Sequence, residues 1–129
     1  FFDARIQMFK FWIDQFLANP FIAPTVGPLP WQSYQHFHNL FADIHRISGV
    51  WALFFTAALI MYIFIRLIYL TYCNKQIGYY LLSVAIPLTL IMLSSVVPEG
   101  EKQPFLALLL IGAISERCIS AMPKSLGLG

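Results

Sequence analysis

The residues best suited to chemistry lie in Asp43-Ile44-His45-Arg46-Ile47-Ser48-Gly49-Val50, where three ionisable side chains stand at the mouth of the longest apolar run in the chain. From Gly49 to Ile65 there is no charge, and the run continues past Arg66 to Tyr72, long enough for a helix to cross a bilayer. A helix that begins a turn or more before this run places Ala42, His45, Arg46 and Gly49 at i, i+3, i+4 and i+7, on one face. That face offers an imidazole, a cation and an open surface at glycine. A guanidinium is expensive in a low-dielectric zone, so one that faces other protein there needs an acceptor. The two carbonyl oxygens of a quinone are such acceptors. Reduction puts negative charge on them, which a fixed guanidinium stabilises, and an imidazole can relay a proton near neutral pH. A plainer reading uses the same side chains: Asp43 and Arg46 pair three residues apart on a helix surface, while His45 and Arg46 anchor the helix among headgroups.

The stretch His45-Arg46-Ile47-Ser48-Gly49, at the start of a first membrane span, resembles the His-Arg-x-Ser/Thr-Gly signature of the cytochrome b membrane-anchor subunit of succinate dehydrogenase, respiratory complex II. Upstream, Pro28-Leu29-Pro30 is similar to that family's Pro-Leu-Ser-Pro segment. The resemblance implies three transmembrane helices and part of a ubiquinone pocket, with Arg46 as the quinone-site arginine and His45 beside quinone and a haem propionate. It also implies a flavoprotein subunit, an iron-sulfur subunit and a second small membrane-anchor subunit as partners. The expected location is the mitochondrial inner membrane or, alternatively, a bacterial inner membrane, with Arg46 on the side of the soluble dehydrogenase subunits.

Two positions depart from the family pattern. Ala42 stands where the family carries a quinone-contacting serine, which removes one hydrogen bond to the ring. The family's axial haem ligand is a histidine of the second span, whereas the histidines here are His36, His38 and His45, all before or at the first. Haem b is therefore lost or held differently. With no flavin motif and no cysteine set for an iron-sulfur cluster, the chain is not a catalyst alone, and its electrons come from another subunit. A second reading is a cofactor-free accessory subunit that braces a respiratory membrane complex.

Composition frames both readings. The 129 residues are 59% hydrophobic and 11% charged, with a mean hydropathy of +0.71. Soluble domains carry about a quarter charged residues, so an all-α integral membrane protein is expected. A formal charge of +2 without a basic cluster excludes a nucleic-acid partner. Cys73 and Cys118 are expected to be unpaired thiols, and no metal-ligand spacing occurs, His36 and His38 diverging on a helix.

The elements that must position the motif follow in order. Residues 1–18 show Phe2, Ile6, Phe9, Ile13 and Phe16 at helical spacing beside a polar stripe of Asp3, Gln7, Lys10 and Asp14, an amphipathic helix expected to lie on the membrane or a partner. Its two aspartates and lack of serine distinguish it from a transit peptide, so it is expected in the mature protein. Residues 19–32 form a proline-rich connector, and Ser33 or Asn39 is expected to cap the next helix. Residues 33–129 make a three-helix transmembrane domain with spans at about 47–72, 77–97 and 105–122. Cys73-Asn74-Lys75-Gln76 forms the first turn, Pro87 is expected to kink the second span, and Pro98 to Pro104 closes it. Arg66 is expected to snorkel outward, and Glu116 and Arg117 to sit at headgroups or pair with a partner subunit. Positive charge divides evenly between the two sides, four residues each, so orientation rests on the resemblance alone.

Overall fold

The computed structural model describes residues 2–25, 39–93 and 102–123. Among them the protein is all-helical, with α1 (Phe2–Ala18), α2 (Leu40–Cys73), α3 (Lys75–Leu93) and α4 (Lys102–Ser120). The remainder of the connector, Ser33, His36 and His38, and most of the Pro98 to Pro104 loop lie outside the described residues. Helices α2, α3 and α4 are each long and apolar enough to cross a membrane, and they pack on one another as a bundle.

Helix α2 supplies the bundle's central seam. Ile60, Ile63, Leu67 and Leu70 recur at helical spacing and are buried against Leu81, Ala85 and Met92 of α3 and Leu108 and Ile111 of α4. The opposite faces stay uncovered. Only 33%, 22% and 22% of the three apolar stretches are buried within the chain, and side chains such as Phe55, Met61, Leu90 and Leu110 project outward. Close approach falls where a side chain is missing. A Cβ on Gly78 would overlap the backbone of Thr71, so α2 and α3 touch main chain to main chain, and one on Gly112 would come within 2.9 Å of Ile63 Cγ1.

The ends are capped by asparagine. Asn39, in extended conformation, accepts from the amides of Phe41 (3.1 Å) and Ala42 (3.3 Å) and donates through Nδ2 to the Leu93 carbonyl (3.0 Å). It thus starts α2 and ties that start to the end of α3. At the far end Asn74 alone separates two helices. Its amide closes α2 on Leu70 O (2.7 Å) and its side chain accepts from Ile77 N (3.2 Å) to open α3. The turn expected from Cys73 to Gln76 is one residue long, because a single asparagine serves both helices. Helix α3 continues through Pro87.

Helix α2 differs from the expected span of 47–72 in both extent and continuity. It begins at Leu40, and Gly49 has φ 84° and ψ 177°, outside helical geometry. A short helix, residues 40–48, therefore meets a long one, residues 50–73, at a break. The long segment rises about 36 Å at ~1.5 Å per residue, against a hydrocarbon core of about 30 Å. The i+7 relation that put Gly49 on the face of Ala42, His45 and Arg46 does not survive the break.

Glycine tolerates this backbone and other residues do not. A Cβ at Gly49 meets nothing within 4 Å, so Gly49→Ala isolates backbone strain from crowding. It should destabilise the fold by about 1–3 kcal/mol, read as a lowered unfolding midpoint in detergent. An unchanged midpoint would show that the break is not required.

Candidate functional site

Helix α1 lies against the short segment of α2, and the contact is organised around an imidazole. His45 is 1% exposed. Trp12 Nε1 donates to His45 Nδ1 at 3.0 Å, and His45 Nε2 lies 2.6 Å from the Pro20 carbonyl oxygen. A carbonyl only accepts, so Nε2 carries the hydrogen and Nδ1 is the acceptor, a neutral tautomer fixed by its neighbours. Phe16 meets the ring edge-on at 5.4 Å between centroids. Trp12 is bracketed by Phe9 (5.5 Å) and Phe16 (5.8 Å). Ala42 is fully buried in the same patch, with Met8, Trp12 and Leu53.

The N-terminal helix thus packs along Met8 and Trp12, with Ile13 and Phe16 at its edge, rather than along the full stripe from Phe2 to Phe16. Ile6 and Phe9 on that stripe remain exposed. After the helix, Asn19 Oδ1 accepts from Phe21 N (3.1 Å). Gln15 holds Thr25 through both its amide atoms (2.9 Å each to the Thr25 backbone), which folds the connector back and brings Pro20 O to His45.

The four motif residues accordingly separate. Ala42 and His45 face α1, Arg46 is half-buried, and Gly49 forms the break beside open space. Arg46 Nε is buried and has no hydrogen-bond partner among the described residues. A buried donor left without an acceptor costs more than the mean hydrogen bond gains. Asp43 is buried on the same short helix, at 3% exposure. The geometry suits Arg46 for holding an acceptor oxygen and His45 for fixing the segment that carries it. Among the described residues no group of three metal-ligating side chains comes together.

A second polar centre lies toward the other end of the bundle, where α2 meets α4. Arg66 Nε and Nη2 engage Glu116 Oε1 and Oε2 in a two-point ion pair, the Nη2 bond at 2.9 Å, and Tyr62 Oη donates to Glu116 Oε1 at 2.9 Å. The guanidinium also lies 5.5 Å from the Tyr69 ring centroid. Arg66 therefore does not reach outward alone, and Glu116 finds its partner within the chain. Within its own span, each of these charges looks like a helix-end residue bound for a headgroup or another subunit. The signal available was that α2 carries one cation in its apolar run and α4 one carboxylate, which low dielectric drives together. A crevice of about 170 Å³ opens beside the pair, lined by Leu59, Ile63, Leu109, Gly112 and Ser115.

The chain matches no known family model, and neither curated proteins nor solved structures contain one significantly similar to it.

Two outcomes test this geometry. Imidazole nitrogen shifts should report the Nε2–H tautomer for His45, with Trp12→Phe altering the Nδ1 resonance most; a ring with two N–H donors contradicts the arrangement. For the second centre, Arg66→Gln and Glu116→Gln should each lower the unfolding midpoint in lipid, and the double variant should lose less than their sum, as a direct pair requires. Strict additivity would mean that the two side chains do not interact.

Proposed function

We propose that the chain is a membrane-anchor subunit of a succinate dehydrogenase complex, inserted through α2, α3 and α4. On this reading it docks the flavoprotein and iron-sulfur subunits with a second small anchor subunit and forms part of the ubiquinone-reduction site. The observation that carries the reading is Arg46, whose buried Nε lacks an acceptor among the described residues, in the sequence that resembles the family's quinone signature, at the entrance to an apolar helix of bilayer length. A quinone oxygen supplies the missing acceptor, and its developing negative charge strengthens that bond as electrons arrive from the iron-sulfur partner.

His45 supports Arg46 by position. Both ring nitrogens are engaged, by Trp12 and the Pro20 carbonyl, so the proton relay expected of it would first require those bonds to open. The same bonds bear on haem: His45 is the one histidine among the described residues, and with both ring nitrogens engaged it offers iron no free ligand atom.

A cofactor-free accessory subunit is the second reading. It is favoured by one observation, that Ala42 and His45 are consumed in packing α1 onto α2. Both readings place the assembly in an inner membrane, mitochondrial or bacterial.

Substitution of Arg46 separates them. In the assembled complex, Arg46→Ala should cost on the order of 2–4 kcal/mol of charge stabilisation, roughly a thirty- to thousand-fold drop in quinone reduction with assembly retained. Asp43→Asn should be mild for a quinone site, whereas an anchoring Asp43–Arg46 pair makes the two substitutions equivalent. Activity within a factor of about three of wild type in Arg46→Ala removes the quinone site and leaves the accessory role.

A further inference from the structure

The end of the bundle opposite Arg46 holds a crevice of about 260 Å³ between the last turns of α2 and the first turns of α3, lined by Ile68, Thr71, Tyr72, Lys75, Tyr79 and Leu82. We propose that this crevice binds one anionic phospholipid, with Lys75 on the phosphodiester and an acyl chain lying along Ile68 and Leu82. The inference rests on the membrane-spanning part of the reading above, and on neither the quinone site nor the dehydrogenase partners.

The argument is the order of the lining along the helix axes. Tyr72 and Lys75 stand at the helix ends, one residue on either side of Cys73-Asn74. Tyr79 lies one turn deeper on α3, and Ile68 and Leu82 one to two turns deeper on α2 and α3. The wall therefore passes from cation through phenol to aliphatic over a depth of about 10 Å at ~1.5 Å per residue, the polarity profile of a phospholipid from phosphate through glycerol ester to chain. Lys75, Tyr72 and Tyr79 are exposed, and among the described residues none has an ion-pair or hydrogen-bond partner that would compete for a headgroup. Thr71 Oγ1 is turned away from the ligand onto the Leu67 carbonyl at 2.8 Å. The floor is fixed, because Gly78 brings the α3 backbone directly onto Thr71. The crevice is a gap between two helices locked at that contact, not a dent in a mobile surface.

Charge selects the headgroup. A single ammonium near a membrane surface favours an anionic lipid by about 1 kcal/mol, or about fivefold, whereas the aliphatic wall treats all headgroups alike.

The test uses the full chain, delipidated in detergent micelles and titrated with phosphatidylglycerol or phosphatidylcholine of identical chains, with bound lipid counted by native mass spectrometry. Wild type should retain one phosphatidylglycerol about fivefold more tightly than phosphatidylcholine, Lys75→Gln should abolish that preference, and Lys75→Arg and the remote Lys10→Gln should keep it. Soluble glycerol phosphate should fail to displace the lipid. The proposal is overturned if Lys75→Gln leaves the preference within twofold of wild type, if Lys10→Gln removes it equally, or if glycerol phosphate competes as well as the lipid and thereby identifies a free-phosphate site. Release of the chain from vesicles by alkaline carbonate would overturn the membrane reading, and the lipid site with it, whereas a retained chain without lipid preference overturns the lipid site alone.

Discussion

An imidazole taken out of solvent has two nitrogens to satisfy, and at His45 one is met by a helix and the other by a turn. Trp12 Nε1 comes from α1 and the Pro20 carbonyl from the segment just after it. The ring therefore fixes both the helix and its exit against the first segment of α2. The cluster of Met8, Trp12, Ala42 and Leu53 fills the space around the bonds, but apolar packing alone would let α1 slide along α2. The directional bonds set its register, since buried polar groups tolerate little displacement before they are left unsatisfied.

That register has its own requirement at Gly49. A continuous helix from Leu40 to Cys73 would aim the His45 segment along the axis of the long segment. The break at φ 84° redirects it, and Phe16 meets Phe54 at 6.3 Å and Phe21 meets Trp51 at 6.2 Å across the corner. The positive φ and the aromatic contacts on either side of it support one another: the backbone turns only at glycine, and the turn brings the rings together. The opposite end is built on different principles. There Asn74 and Gly78 make the shortest possible connection, and the Arg66–Glu116 pair with Tyr62 fastens α4, the least apolar of the three candidate spans. Between helices already surrounded by an apolar medium, such polar bonds and small-residue contacts do what hydrophobic burial does in water.

Much of this architecture is legible in the residue order. Three apolar runs, a polar punctuation at Asn74 and a helix ended by Asn19-Pro20 lead to the observed elements, because run length and proline act locally. What was not legible depends on pairs distant in sequence. Arg66 and Glu116 are fifty residues apart, and each alone looks like a helix-end charge. His45 looks unengaged in the sequence, because Trp12, the partner of its Nδ1, lies thirty-three residues earlier. Gly49 looks like an open point on a helix face, since nothing in the neighbouring residues announces a positive φ. The N-terminal helix shows its period in the sequence but not its docking edge. Tertiary contact buries Met8 and Trp12 and leaves Ile6 and Phe9 exposed.

The fate of Ala42 bears most directly on how the motif can work. Where the family that the motif resembles has a quinone-contacting serine, this chain has a methyl group with no exposure, enclosed by Met8, Trp12 and Leu53. A hydroxyl at that position would be buried against apolar neighbours and would need an acceptor there. Alanine at this position therefore suits the docking of α1 beside Trp12. On the quinone reading, the ring cannot lie on the Ala42 side, which α1 occupies. It must reach Arg46 from another side of the short segment. Glycine at the corner acts through its backbone alone, since a Cβ there would meet nothing within 4 Å.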